Sequence, residues 1–161
     1  MKTELSNEKI ILKQLTANDS TVFHNLYFDE KDTDIGQSSK TIEKQTPLDF
    51  TKRIISLCNN IFTIRLINNP TKIIGDCALH DLNKETNEIE IGGTLLPEYW
   101  GKGIMASAFN MLIDFARQEY GVQKIVAKTD STNDKALKFA DKIGLKKVTT
   151  ENKTIILERV L

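Results

Sequence analysis

The sequence is poor in the features that mark specialised classes of protein. Its 161 residues include 2 cysteines, 3 prolines and 1 tryptophan, and 22 basic residues balance 22 acidic ones. Without a net positive charge, neither nucleic acid nor an anionic membrane is expected as a partner. Cys58 and Cys77 have neither CxxC nor Cys/His spacing, which argues against a zinc site and a disulfide framework. We expect two buried structural thiols, no metal and a reducing compartment.

Long apolar runs are also missing. The first ten residues, MKTELSNEKI, contain no stretch suited to a signal peptide, and no window approaches the roughly 18 apolar residues of a membrane span. We therefore expect a cytoplasmic protein. What is present is ordinary globular composition, with 40% hydrophobic and 27% charged residues. The length is that of one domain, which we place at residues 1–161.

Hydrophobic periodicity predicts an alternation of strands and helices. Thr16 and Asp19 resemble a capping box, Thr46 and Pro47 suit the start of a second helix, and Gly144 suits a helix end. On the second helix, a core-facing set is expected at Phe50, Ile54, Leu57 and Cys58. Strands are predicted at 9–15, 61–67, 73–82, 88–96, 122–129 and 154–161, and helices at 16–28, 46–58, 104–120 and 134–143.

The order of these elements predicts the fold class. An opening strand and two helices precede three strands joined by short turns, and a helix, a strand, a helix and one or two strands follow. A meander combined with a strand-helix-strand crossover implies an α+β protein with a mixed sheet. We predict a mostly antiparallel sheet of six to seven strands flanked by about four helices.

A glycine-containing segment, GGTLLPEYWGKGIM at residues 92–105, links the fourth predicted strand to the longest helix. Glycines there let several main-chain N–H groups converge beyond the helix start, which forms a site for an anion. The helix dipole adds partial positive charge, so a pyrophosphate is the expected occupant. Lys102 can add a full charge or point to solvent.

Two nucleotide-binding motifs are poor matches to this segment. A P-loop requires Gly-Lys followed by Ser or Thr, whereas Gly101-Lys102 is followed by Gly103. GKGIMA weakly matches the dinucleotide fingerprint, which belongs to the first strand of a parallel unit. Here the motif follows a predicted antiparallel meander. A module that binds another phosphate-containing nucleotide remains a competing hypothesis.

The segment YWGKGIM, together with the strand EIGGTL before it, resembles the acetyl-CoA pyrophosphate loop of GNAT N-acetyltransferases. The resemblance extends along the chain through EKIILKQLTANDS, Gly75 to His80, and KIVAKTDSTNDKALKFADKIGLKK. It is greatest to the branch that includes the ribosomal-protein N-terminal acetyltransferases. The resemblance implies transfer of an acetyl group from acetyl-CoA to a primary amine, on a protein N-terminus or a small molecule. A homodimer is a candidate assembly.

The same resemblance implies residues that bind coenzyme A. Leu95 and Leu96 would pair with the pantetheine amides, and Asn133 would contact the pantetheine arm or simply cap its helix. The family has Gln or Arg where this chain has Trp100, and Gly or Ala where it has Met105; binding through main-chain amides tolerates both changes. The pyrophosphate would be bound by Trp100, Gly101, Lys102, Gly103, Ile104 and Met105.

Catalytic groups are less defined by the pattern. The branch has a serine where this chain has Ala136, and neither Tyr99 nor Tyr120 matches the position of the tyrosine acid in other members, so no general acid is assigned. For the general base we consider Glu90, His80 and a water-mediated route. A catalytically weak acyl-CoA-binding protein or sensor is an alternative function.

An acidic cluster follows the first predicted helix, with Asp29, Glu30, Asp32 and Asp34 within six positions. In the resemblance, this region borders the acceptor cleft. The carboxylates would attract a cationic or amine-rich acceptor, or they form a solvated loop.

Overall fold

A computed structural model describes residues 2–28 and 45–161 of the chain. The acidic cluster at residues 29–34 lies outside these ranges. The helices are α1 (Ser20–Phe28), α2 (Pro47–Leu57), α3 (Ile104–Tyr120) and α4 (Asp134–Lys142), with short 3₁₀ turns at Ala17–Asp19 and Pro97–Tyr99. The strands are β1 (Glu4–Ser6), β2 (Ile10–Gln14), β3 (Asn60–Leu66), β4 (Gly75–Asn83), β5 (Glu88–Leu95), β6 (Lys124–Asp130), β7 (Lys146–Glu151) and β8 (Thr154–Val160).

The eight strands form one sheet in the order β1-β2-β3-β4-β5-β6-β8-β7. Strands β2 to β5 pair antiparallel with their neighbours, and β5 pairs with β6 in parallel, so the predicted mixed, mostly antiparallel sheet is confirmed. The sheet has eight strands, one more than the upper end of the predicted six to seven, and β1 and β7 had no predicted ranges. Strand β1 has three residues and every residue of β7 is exposed, so neither has the apolar alternation that marks a strand in sequence.

Helices cover both faces of the sheet. On one face, α3 and α4 pack on Cys77, Leu79, Ile89 and Ile91. On the other, Phe23 of α1 and Phe50 of α2 form a second core with neighbouring residues of the sheet. Because side chains alternate along a strand, even-numbered residues of β5 face α1 and α2. That alternation decides which side chains can meet in the candidate site.

The helix starts follow the predicted signals, with one error on α2. The Thr16 N–H donates to the Asp19 carboxylate, and the Asp49 N–H donates to the Thr46 hydroxyl. The predicted core face of α2 was wrong at Leu57, which is 62% exposed because it ends the helix, away from the aromatic core. Thr51 is buried instead.

The two cysteines occupy different environments. Cys77 is fully buried as predicted, whereas Cys58 is only partly buried because it follows the end of α2. Burial raises the pKa of the Cys58 thiol to about 11 and that of Cys77 well above its ordinary value. Neither thiol is therefore poised for nucleophilic chemistry. Among the described helices, none has the length and apolar character needed to cross a membrane.

Candidate functional site

Strands β5 and β6 separate in the middle of the sheet. They pair only from Glu88 to Glu90, opposite Lys124 to Val126, whereas β6 stays paired with β8 as far as Asp130. At the closed end, the Lys124 ammonium lies 2.9 Å from the Glu88 carboxylate and 3.2 Å from that of Glu158. Beyond Glu90, the two strands diverge and leave a gap between them.

The edge of β5 that borders this gap offers main-chain groups for pairing. The Leu96 N–H donates to the Ile74 carbonyl across the β4 side, so the Leu95 carbonyl of the same trans peptide points the other way, into the gap. Gly93, two residues earlier, presents its main chain to the same side and is exposed although β5 lies inside the sheet. An extended ligand can therefore pair with this edge.

The glycine segment lies at the open end of the gap. Gly101 and Gly103 both adopt the left-handed conformation, with φ of 75° and 76°, which other residues rarely take. Gly103 is the N-cap of α3 and has no side chain to accept the N–H groups of the first helical turn. These N–H groups and the helix dipole suit an anion, which keeps the site predicted from the sequence a candidate. Ile104 is buried and anchors the turn in the core.

Trp100 connects three parts of this region. Its indole N–H donates to the Leu95 carbonyl at 2.7 Å. The last carbonyl on the open edge of β5 therefore already has a hydrogen-bond donor. The Lys135 ammonium of α4 lies 4.7 Å from the centre of the indole ring, within the range of a cation–π contact. Trp100 therefore holds the glycine segment against both β5 and α4.

Lysines surround the same segment. The ammonium groups of Lys72 and Lys102 lie 5.5 Å and 5.7 Å from the centre of the Tyr99 ring. Lys72 comes from the turn between β3 and β4 and Lys135 from α4, so the sequence pattern identified only Lys102. Together with α3, these three cations favour an anionic ligand at the open end of the gap.

The two candidate bases meet near the closed end. His80 on β4 lies opposite Glu90 on β5, and the distance from His80 Nε2 to Glu90 Oε1 is 3.9 Å. The other ring nitrogen, Nδ1, is 2.8 Å from Asp81 Oδ2. Lys128 of β6 lies 3.5 Å from Glu90 Oε2, and the Glu90 side chain is only 14% exposed. The sequence identified His80 and Glu90 but not Asp81 or Lys128.

This cluster opens into a cavity of about 370 Å³ on the α1 and α2 face of the sheet. Its polar wall is mainly acidic and comprises Asp81, Asn83, Glu88, Glu90, Lys128 and Glu158. Ligand atoms of His80, Asp81 and Glu90 lie within 4.8 Å of one another, a spacing that a metal ion could use. However, each ring nitrogen of His80 is directed at a different carboxylate, which suits proton transfer better than chelation of one ion.

Three other residues considered from the sequence have structural contacts. The Asn133 side chain accepts a hydrogen bond from the Ala136 N–H at 3.1 Å, so it caps α4. Tyr120 donates to the Asn60 side chain, at the far end of α3 from the glycine segment. Leu96 differs from Leu95, because its N–H and carbonyl bond to Ile74 and Tyr99 and do not border the gap.

A buried acid near the gap was missed by the sequence analysis. Asp76 of β4 is 2% exposed and accepts a hydrogen bond of 2.6 Å from the Tyr27 hydroxyl of α1. Burial raises the pKa of Asp76 to about 7, although the bond from Tyr27 lowers it, and the pKa of Tyr27 is also raised, mainly by burial. An aspartate inside the apolar run IIGDCAL was the available signal.

Comparison with known proteins agrees with this geometry. The profile of the acetyltransferase (GNAT) domain matches residues 9–146. The chain is 24% identical over 152 residues to the uncharacterized N-acetyltransferase p20 of Bacillus licheniformis, covering 89% of this chain and 82% of that protein.

Solved structures share the fold. The apo form of FdhC, a nucleotide-linked sugar GNAT, matches with a TM-score of 0.82 and 18% identity, covering 99% of this chain and 91% of FdhC. A dodecameric spermidine N-acetyltransferase from Vibrio cholerae matches with a TM-score of 0.69 and 19% identity, covering 96% of this chain and 95% of that one. Since the GNAT domain profile spans most of the sequence, this chain belongs to the GNAT acetyltransferase family and is, as predicted, an N-acetyltransferase.

Proposed function

We propose that this protein transfers an acetyl group from acetyl-CoA to a primary amine. The observation that carries the proposal is the separation of β5 and β6 beyond Glu90, with an anion site at the open end and a base cluster near the closed end. A donor with an anionic head and an amide-containing arm fits the open end. An amine fits the acidic cavity near the other end.

The residues of the glycine segment fit the donor's pyrophosphate. Main-chain N–H groups from Gly101 to Met105 would bind it, since the predicted donor at Trp100 is used by the Pro97 carbonyl. Lys102, Lys72 and Lys135 would add attraction. The edge would pair with the pantetheine amides through the Gly93 main chain and the Leu95 N–H, in the manner of an added strand, because the Leu95 carbonyl already accepts from Trp100. Leu96 does not border the gap, so we propose that Gly93, rather than Leu96, pairs with the pantetheine amides. Asn133 is used as a helix cap, which leaves its contact with the donor a prediction.

The chain's own chemistry is deprotonation of the amine and stabilisation of charge. The acceptor attacks as the neutral amine, after its ammonium form has given a proton to solvent. Its nitrogen bonds to the thioester carbonyl carbon, the carbon–sulfur bond breaks to release CoA as a thiolate that takes a proton from solvent, and the nitrogen loses its extra proton. Glu90 accepts that proton directly or through a water molecule. Because His80 Nε2 lies 3.9 Å from Glu90, a bridging water would carry the proton on to His80, which Asp81 orients, and then to solvent. A main-chain N–H on the open edge of β5 stabilises the oxygen of the tetrahedral intermediate.

The acceptor class follows from charge. The cavity beside Glu90 has four carboxylates and one lysine in its wall, so a cationic amine is favoured over a neutral or anionic one. The resemblance to the ribosomal-protein N-terminal acetyltransferases supports a protein N-terminus. The structural relatives do not select among acceptors, because their names include both spermidine and a nucleotide-linked sugar.

One observation favours a second candidate, an acyl-CoA-binding protein or sensor. Ala136 stands where the ribosomal-protein acetyltransferase branch has a serine. Asn133, three residues earlier, accepts from the Ala136 N–H and caps α4. Incubation of acetyl-CoA with peptides, polyamines and aminoglycosides, followed by mass spectrometry of the products, separates the two functions. An enzyme yields an acetylated amine and free CoA, whereas a sensor binds acetyl-CoA without consuming it.

A further inference from the structure

Three glycines lie within the central strands, and two of them are explained by close packing. A side chain at Gly75 would meet the Thr94 carbonyl oxygen, and one at Gly93 would lie 2.7 Å from the Asp76 carbonyl oxygen and 3.1 Å from the Phe109 ring. Gly92 differs. No heavy atom of the described residues lies within 4 Å of the position its Cβ would occupy, and its φ is not positive.

Neither backbone conformation nor packing therefore requires a glycine at position 92. A glycine inside a strand lowers stability, because it has more conformational freedom to lose and no side chain to pack. In such a position, glycine commonly marks a place where a ligand or another main chain comes close. No described residue supplies such a neighbour, and a ligand in the gap between β5 and β6 is one that would.

The location of Gly92 indicates which ligand. It lies opposite Ala78 and two residues after Glu90, on the face of the sheet covered by α1 and α2. The row on this face runs from the His80–Glu90 pair, past Gly92, to Thr94 beside Asp76. The last pairing of β5 with β6, at Glu90, is two residues before Gly92. Gly92 therefore lies between the candidate base cluster and the part of β5 that borders the gap.

We propose that Gly92 is a specificity-determining residue: its missing side chain forms the passage by which the acceptor amine reaches the gap. The width of the passage limits branching at the carbon atom next to the reacting nitrogen of the acceptor. This proposal rests on the proposed function. The donor is bound from the other end, at the glycine segment, so a methyl group at position 92 narrows the acceptor's path and leaves the donor's path open.

The test compares amines that differ only in branching. Wild type, Gly92→Ala and Gly92→Val are assayed with butan-1-amine and butan-2-amine, and with peptides that begin with Gly or Val. Gly92→Ala should raise the linear-to-branched ratio of kcat/KM by about tenfold, since one carbon added against a bound substrate has an effect of that order. Gly92→Val should raise it further, and the KM for acetyl-CoA should not change.

Gly121→Ala is the control. It adds the same methyl group at the C-cap of α3, at the other end of that helix from the glycine segment, where a φ of 65° disfavours a side chain. It should lower the melting temperature without changing the linear-to-branched ratio. An unchanged ratio in a folded Gly92→Ala variant would overturn the proposal. If the wild type acetylates no amine, the proposed function itself fails. The wild-type assay therefore comes first.

A measurement independent of turnover tests the passage itself. In a Cys58→Ser background, the thiol introduced by Gly92→Cys should react with methyl methanethiosulfonate in the folded protein within minutes. The buried Cys77 serves as the internal reference for a protected thiol. A thiol at position 92 that reacts as slowly as Cys77 would show that the space is closed, and the proposal would fail.

Discussion

Two acidic side chains near the gap, Glu90 and Asp76, lie in different surroundings. Glu90 lies between His80 and Lys128 and keeps a partly open route to the cavity. Asp76 is enclosed under α1, and its partner is the uncharged hydroxyl of Tyr27. A carboxylate that has a neighbouring cation and can be reached from the cavity suits proton transfer from a ligand. A carboxyl group that is enclosed and has no neighbouring cation favours its neutral form. These differences lead to two predictions for single residues.

The first concerns the base. Glu90→Gln removes the proposed proton acceptor while keeping the shape of the side chain, so turnover should fall by about 10²-fold or more with coenzyme binding intact. Steady-state kinetics and calorimetry with acetyl-CoA measure the two quantities. Glu88→Gln is the control, because Glu88 lies on the same face of β5 but pairs with Lys124. Normal turnover with an unchanged pH–rate profile in Glu90→Gln would remove Glu90 from the mechanism.

The second concerns the dependence of stability on pH. Because the pKa of Asp76 rises from 3.8 in the unfolded chain to about 7 in the folded protein, the folded state binds this proton more tightly. The stabilisation is complete below about pH 4 and is lost as pH rises through about 7. Between those limits, Asp76 should lower the free energy of unfolding by about 1.4 kcal/mol per pH unit.

Asp76→Asn keeps an acceptor for the Tyr27 hydroxyl and removes the titration. Urea unfolding of wild type and variant at several pH values between about 5 and 8 should therefore show a difference that changes with pH and levels off above about 7. Exposed Asp114→Asn is the control. If the difference between wild type and Asp76→Asn were the same at every pH, the buried carboxyl would not titrate in this range.

At the scale of elements, α3 begins and ends with a glycine in the same conformation. Gly103 has φ of 76° and Gly121 has φ of 65°, and at neither position does the Cβ site have a described neighbour within 4 Å. The two ends therefore impose similar strain on any replacement residue. They differ in the ligand that we propose binds beside Gly103.

This symmetry gives a controlled test of the glycine segment. Gly103→Val should weaken acetyl-CoA binding by at least about tenfold, because its side chain enters the space where main-chain N–H groups meet the pyrophosphate. Gly121→Val should lower stability to a similar extent without changing that affinity. Calorimetry measures the affinities, and Gly103→Ala and Gly121→Ala are the milder pair if valine prevents folding. Equal affinities in the two folded variants would refute the loop assignment.

The segment between α1 and α2 carries a prediction that rests on sequence alone. Neutralising Asp29, Glu30, Asp32 and Asp34 to Asn or Gln should raise the KM for a cationic acceptor and flatten its dependence on salt. The KM for acetyl-CoA should stay the same, since the proposed donor site lies at the start of α3. Kinetics at low and high ionic strength provide the measurement. An acceptor KM that does not move would mean that the four carboxylates serve only solubility.

For the whole molecule, ligand binding should appear as selective stabilisation. At about 100 times its dissociation constant, a ligand adds about 2.7 kcal/mol, which corresponds to a rise in melting temperature of about 5–10 °C for a domain of this size. Coenzyme A should produce this rise, and ATP and NAD should not. If ATP or NAD stabilised the protein as much as coenzyme A, the competing hypothesis of a general nucleotide-binding module would gain ground.

The predicted parts of the fold depended on local signals. Thr46 and Pro47 start α2 and Gly144 ends α4 because caps act within one turn of a helix, so spacing along the chain is enough to find them. Strand β7 has no buried face, so its residues show no alternation from which a strand could be predicted. Leu57 was misplaced because helical spacing assigns a face but does not show where the core ends.

The sequence by itself determined the family, the glycine segment and two of the groups in the base cluster, because each depends on residue types at short, fixed spacings. Only the tertiary structure decided how these parts meet. The separation of β5 and β6, the 3.9 Å between His80 and Glu90, and the lysines around Tyr99 and Trp100 join residues distant in the chain. Their proximity depends on strand register and on how helices pack across the sheet, and periodicity along the chain specifies neither.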